Sequence, residues 1–286
     1  MASQIFKTVF LIGFCMGLSA CSAPDESNTS KPETADTASA TPDNAIVTQA
    51  QSTVCEGFGP QTPRDIDSKT GSNSIIIETA PDYSELNLCN IHFHNPAEHK
   101  AKAFSASGDD NGYQCGTGQN LSEAEVAAFP ENACEGIKPG DTIEVHWVHS
   151  SCDIQPGPGL GSCLNDGCDN PKLRVETQIF TLVNDPNALD FNTLDYSGSA
   201  TNGLHQARHI PDNTGKPVVF GGSTTGPKYT EQQCSPLKVT WSVRPQCAKL
   251  HIGSLSEWCK SNAFEEDHAH GVRKLVTHPA LLSEIK

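Results

Sequence analysis

Positive charge is what this chain has least of. Lysine and arginine together number 19 against 34 aspartates and glutamates, for a formal net charge of −15. No basic cluster offers a track for phosphates, so nucleic acid is not an expected partner. The acidity fits a soluble exported protein instead. Helical periodicity is weak throughout, and no internal repeat is visible. Paired CxxC motifs are missing, which argues against a cysteine-ligated zinc site. The loop from Ser150 to Pro171 has aspartates but not the regular spacing of a calcium loop.

Long apolar runs are also absent, apart from one near the N-terminus. That run begins at Val9 and ends in the small residues before Cys21, too short to span a membrane permanently. Residues 1–20 are therefore expected to be a signal peptide. Its last residues, LSAC from Leu18 to Cys21, look like a bacterial lipobox in which Cys21 would be acylated. This predicts a lipid-anchored protein of the bacterial cell envelope, with Ser22 resembling lipoproteins sent to the outer membrane, facing the periplasm or the cell surface. The lipid would be its one membrane contact. Residues 21–52 are rich in Ser, Thr, Ala, Pro, Asp and Glu and too poor in large apolar residues to offset ordering entropy, so they are expected to form a disordered tether. The folded domain is expected over residues 53–286.

Cysteine is plentiful. Setting aside Cys15 and Cys21, ten remain, from Cys55 to Cys259. An even set in an exported chain predicts about five disulfides. Spacing does not fix the pairing. Cys163 and Cys168 are close enough to close a small loop, and Cys55 with Cys234 would pin the N-terminal segment near the site.

Short β-rich runs dominate the domain: from Ser74, Leu88, Thr142, Val175, Lys216 and Lys238, each bounded by Gly, Pro, Asn or Asp. Helices are expected only at Ser122–Phe129, Ser254–Asn262 and Arg273–Lys286. The fold class is mainly β: a single domain with a central twisted antiparallel sheet, long disulfide-stapled loops and a few short helices.

Two stretches carry the chemistry, NIHFHNPAEH from Asn90 to His99 and EVHWVH from Glu144 to His149. Side chains alternate across a strand, so His92 and His94 share one face and Phe93 takes the other. In the second stretch Glu144 and His146 share a face, and His149 lies opposite with Val145 and Trp147. Only one of the two histidines can join a site there, and His146 is the choice. Three neutral imidazoles suit one Zn²⁺ per chain, with the fourth position left to water whose pKa falls to about 7. Glu144 is placed either to orient His146 or to be a ligand itself.

The pair of motifs resembles the metal site of alpha-type carbonic anhydrases. The wider chain looks closer to the delta-class and carbonic anhydrase-like proteins, judging by GPQTPRDI from Gly59, the cysteine-rich insert and DHAHGVRKL from Asp267. The resemblance implies reversible hydration of carbon dioxide to bicarbonate, a small-molecule substrate, and His92, His94 and His146 as zinc ligands. Glu144 would accept the ring N–H of the third ligand, with Asn90 behind the first. His99 and His149 match structural core histidines. Glu98 would fix a gatekeeper hydroxyl, assigned to Thr224 in FGGSTTGP, with Thr225 and Thr230 as alternatives. Val148 and Trp241 would line the substrate pocket.

Two departures from the alpha pattern stand out. No histidine precedes His92 in the domain, so the upstream proton carrier is missing, and His205, His209 or buffer would have to substitute for it. A loose alignment also puts Glu176 where an apolar wall belongs. Two other readings use the same residues. His92, His94 and Glu98 satisfy the HxHx₃E spacing of cupins, with iron or manganese. A non-catalytic zinc-binding surface lipoprotein would keep the fold and the metal alone.

Overall fold

The computed structural model describes residues 54–108, 112–116, 119–224, 229–272 and 276–286. The expected signal peptide, lipidated Cys21 and tether lie outside the described residues, as does Thr225. Among the described residues no helix is long and apolar enough to cross a membrane.

The centre is a five-stranded sheet built from β1 (Asn87–His94), β4 (Thr142–Ser150), β5 (Leu173–Val183), β8 (Val218–Ser223) and β9 (Lys238–His251), in the order β1-β4-β5-β9-β8. Two small ribbons accompany it, β2 (Ala106–Ser107) with β3 (Tyr113–Gln114) and β6 (Tyr196–Thr201) with β7 (Leu204–Ala207). The mainly β expectation holds, with one correction. β5 and β9 pair in parallel, so the sheet is mixed. The chain between them is long enough to make the return crossover that parallel pairing needs, and β8, which lies within that stretch, pairs antiparallel with β9 at the sheet edge.

β4 is buried along its whole length and β5 almost so, as expected of inner strands covered on both faces. On one face Ile91, Phe93, Ile143, Val145 and Trp147 pack with Phe180, Leu182 and the helix α1 (Ile252–Lys260). That helix presents Ile252, Leu255 and Cys259 at i, i+3 and i+7, with Trp258 beside them, and all four are buried. Each large side chain sequestered there contributes roughly 1.5–3 kcal/mol. The opposite face carries Val148, Val175, Ile179, Val239, Val243 and Trp241, and it also carries the polar site.

Three predicted elements fail. Ser74–Thr79 has the β-branched residues of a strand but lies outside every ladder; Ile76 is 89% exposed, Ile77 packs against Gly221 of β8 without pairing, and Ala80 donates to Thr240 Oγ1 at 2.8 Å. Ser122–Phe129 forms turns, opened by a reciprocal Ser122–Glu125 bond pair, and does not continue as a helix. Within the predicted helix Arg273–Lys286, the described part contains just one short 3₁₀ turn, Pro279–Leu281, because the proline fixes its start and Leu282 is already extended.

Among the described residues five disulfides join Cys55–Cys234, Cys89–Cys163, Cys115–Cys247, Cys134–Cys259 and Cys152–Cys168. The Cys55–Cys234 expectation holds. The small loop from Cys163 to Cys168 does not form, since each of them staples the 150–171 loop elsewhere: Cys163 to β1 and Cys168 to Cys152. A bulge between Leu88 and Asn90 leaves Cys89 as the extra residue of β1, and it is this residue that takes Cys163.

Candidate metal centre

Antiparallel register brings the two motifs face to face. His92 of β1 lies opposite His146 of β4, Asn90 opposite Val148, and His94 opposite Glu144. Pleating then puts Asn90, His92, His94, Glu144, His146 and Val148 on one side of the sheet. Nitrogens of His92, His94 and His146 lie within 4.8 Å of one another. The ring centroids are 5.2 Å apart for His92–His94 and 5.0 Å for each of the other two pairs.

Hydrogen bonds fix which nitrogen of each ring faces the centre. His92 Nδ1 donates to Asn90 Oδ1 at 2.6 Å, and Asn90 is itself held by its amide N–H on Gly157 O at 3.1 Å. His94 Nδ1 donates to Gly271 O at 3.1 Å. Both leave Nε2 for the centre. His146 is the reverse: its Nε2 donates to Glu144 Oε1 at 2.6 Å, which leaves Nδ1 inward. His146 Nδ1 and His92 Nε2 are 3.2 Å apart. With their other nitrogens protonated and engaged, two lone pairs face each other across that gap. The separation matches one edge of a tetrahedron with zinc–nitrogen bonds of about 2.0–2.1 Å, an edge of roughly 3.3 Å. The donor set therefore fits a single zinc ion.

Electrostatics agrees. Burial pushes the His94 imidazole well below its ordinary range, with His146 adding to the effect. Burial also lowers His146, against the pull of Glu144. Both rings are neutral at physiological pH, the form that binds metal.

Glu144 is the hub behind the rings. Its Oε1 accepts from His146 and from His99 Nδ1, each at 2.6 Å, and its Oε2 accepts the backbone N–H groups of Glu98 and His99 at 2.8 and 2.9 Å. Burial works to raise this carboxyl, but His99 and His146 outweigh it and hold the group well below the usual carboxylate range. His99 continues the chain, its Nε2 accepting from the Thr62 hydroxyl at 3.3 Å. His99, Glu144 and His146 also meet as a group of possible ligands, but hydrogen bonds already fill the space between them.

A cavity of about 220 Å³ opens over the three imidazoles. Val148, Val175 and Trp241 form apolar walls, and Glu98 and Thr224 line it as well. Trp241 stands 5.1 Å from His146 and 4.8 Å from His99, ring to ring, and donates to Ser223 O at 3.2 Å. Gly222 of β8 permits this: a Cβ there would meet the Trp241 ring at 3.1 Å and Thr62 at 3.2 Å. Thr230 lies away from the cavity, its Oγ1 accepting from Gln232 and Gln233 N–H. His149 is buried on the far face, donating Nδ1–H to Trp147 O at 3.0 Å beside Tyr83.

Val175, and not Glu176, faces the site, so the loose alignment is off by one residue; Glu176 turns away to Arg174 at 2.5 Å. Neither His205 nor His209 lines the cavity, and His205 is bonded to the Tyr196 hydroxyl at 2.7 Å. The sequence reading missed Gly159, Leu160, Glu266 and His270, all on the cavity wall. Leu160 comes from the stapled loop, and Glu266 and His270 from the segment after α1. Only the DHAH string carried a signal for that segment.

A comparison with curated proteins gives no match. Among solved structures, the alpha-carbonic anhydrase of Photobacterium profundum is similar at 17% identity, covering 77% of this chain and 87% of that one, with a TM-score of 0.30. The family model described as "Delta carbonic anhydrase" matches residues 83–254, more than half of the chain and every strand that carries the three imidazoles. The chain belongs to the delta carbonic anhydrase family.

Proposed function

We propose that the protein is an active carbonic anhydrase, a lyase that interconverts carbon dioxide and bicarbonate with one zinc ion held by His92, His94 and His146. One observation carries this reading: three imidazoles, each locked by a separate acceptor, aim ring nitrogens at a common point on the floor of a half-apolar cavity. When bound, zinc supplies Lewis acidity that brings the pKa of a water to about 7.

The chain's own residues do the rest. Asn90, the Gly271 carbonyl and Glu144 hold the ligand rings in their tautomers. Val148, Val175 and Trp241 offer an apolar surface on which an uncharged, linear substrate can sit beside the reacting water. Glu98 and Thr224 share the cavity, and in this reading Glu98 holds the Thr224 proton so that the hydroxyl oxygen orients the water.

The cupin reading is less well supported. Glu98 Oε1 is 3.6 Å from His94 Nδ1, the ring nitrogen already given to Gly271, so Glu98 sits behind His94 and not across from it. A zinc-binding module without activity would keep the imidazoles but would have no use for the apolar walls.

The test is metal content together with carbon dioxide hydration followed by the fall in pH, with and without a chelator or a sulfonamide. One zinc per chain and chelator-sensitive hydration are expected. A fully zinc-loaded protein with no hydration above buffer would refute the proposal. The lipid anchor on Cys21 and an envelope location remain part of the same proposal, tested by labelling with a radioactive fatty acid.

A further inference from the structure

Hydration of carbon dioxide consumes one water and yields one bicarbonate and one proton. That proton has to leave a cavity whose three ligand imidazoles would be engaged by the metal. The polar residues of the cavity that the mechanism above does not use are Glu266 and His270. His270 Nε2 donates to Glu266 Oε2 at 2.7 Å, and its ring centroid lies 5.5 Å from His92 and 5.6 Å from His94. On its other side the His268 ring stands 5.2 Å away. The side chain of His268 is 53% exposed, and its Nδ1 donates to Asp267 Oδ1 at 2.6 Å, which leaves Nε2 with a free lone pair. These rings form a line from the metal ligands to solvent.

The backbone holds this line in place. Glu135 N–H donates to Asp267 O at 2.9 Å, and Ala269 N–H donates to Glu135 O at 3.1 Å. His270 N–H donates to Phe93 O at 2.9 Å, and Asn95 N–H to His270 O at 3.1 Å, so the segment is pinned onto the strand that carries His92 and His94. Asn262 clamps the start, accepting from Glu266 N–H at 3.1 Å and donating to Glu266 O at 2.7 Å. Asn262, Glu266, Asp267, His268 and His270 lie beyond the span matched by the family model, which ends at residue 254.

We infer that His268 carries the proton of the hydration step from the cavity to solvent, past a His270–Glu266 pair that lines the route. The inference rests on the carbon dioxide reaction proposed above. In balance, water loses H⁺ and keeps its electron pair in the new C–O bond; the Nε2 lone pair of His268 takes the proton, giving imidazolium, and external buffer base removes it. Imidazole is the side chain suited to such exchange near neutrality. The charged and titratable groups around His268 are Asp267 on its own segment, His270 and Glu266 toward the cavity, and Glu135 from the facing loop.

The experiment compares wild-type protein with H268A and H268Q in zinc content, in ¹⁸O exchange between carbon dioxide and water in weak buffer, and in the NMR spectrum of the ring nitrogens without zinc. Zinc stoichiometry should be unchanged and carbon dioxide–bicarbonate interconversion retained, while release of labelled water falls by about tenfold or more and returns on adding imidazole. In the zinc-free protein, H268Q should shift the His270 ring signal. Unaltered water release in H268A, or an unmoved His270 signal, overturns the inference and leaves the proposed activity standing. Zinc-loaded wild-type protein with no interconversion overturns both.

Discussion

The carboxylate of Glu144 takes the Nε2–H of His146 at 2.6 Å on the same oxygen that receives His99. This places His146 the opposite way round from His92 and His94, with Nδ1 toward the centre. Removing the carboxylate frees the ring to rotate and leaves buried donors of His99 and Glu98 without an acceptor. E144A should lower zinc affinity by about 10–100-fold, measured by competition with a chelator. Unchanged affinity would mean that Glu144 serves the fold alone.

Asn90 plays the corresponding part for His92, but as a neutral acceptor. N90A should therefore weaken zinc by less than E144A, about tenfold. N90D, which supplies a charged acceptor at the same place, should hold zinc at least as well as wild type in the same competition. Weaker binding by N90D than by N90A would reject this account.

Val175 and Glu176 test the register of β5. V175F puts a ring into a cavity of about 220 Å³ and should cut kcat/KM by about 10–100-fold with zinc stoichiometry intact. E176Q faces Arg174 and should leave kcat/KM within about twofold. The reverse pattern would restore the rejected alignment.

His149 ties stability to pH. Burial depresses its pKa to about 3, far below an unfolded histidine near 6.5. The folded state thus favours neutral His149, and protons bind the unfolded chain first as pH drops from about 6.5 toward 3. Stability present above that window should be lost on acidification by up to about 1.4 kcal/mol per pH unit relative to H149F, as measured by urea unfolding of both proteins. Parallel pH profiles for the two would show that His149 does not contribute.

The Cys89–Cys163 bridge ties β1 to the loop that supplies Leu160 to the cavity. The double variant C89S/C163S should lose about 2–4 kcal/mol of stability by denaturant unfolding. A loss below about 0.5 kcal/mol would show that Cys152–Cys168 alone holds the loop.

What could be read in the letters was whatever a period of two encodes. Asn90, His92, His94, Glu144, His146 and Val148 fall in phase, and the antiparallel register preserves that phase. The strand predicted at Ser74 shows the limit of the same logic. Three consecutive isoleucines favour extended backbone, yet a strand also needs a partner, and none is offered there. The parallel β5–β9 pairing and the delivery of Leu160, Glu266 and His270 to the cavity depend on crossovers, bridges and backbone clamps between distant segments, which no local pattern records. Thr62 reaches His99 by the same kind of long-range placement.

None of the five bridges joins cysteines that are consecutive in the domain, and three of them link positions more than 120 residues apart. A chain oxidised as it emerged would couple Cys55 to Cys89 and Cys115 to Cys134 before either had met its proper partner. Maturation must therefore either wait for Cys259 or undo early errors, and the yield of correctly bridged protein should rise with an isomerase more than with a stronger oxidant.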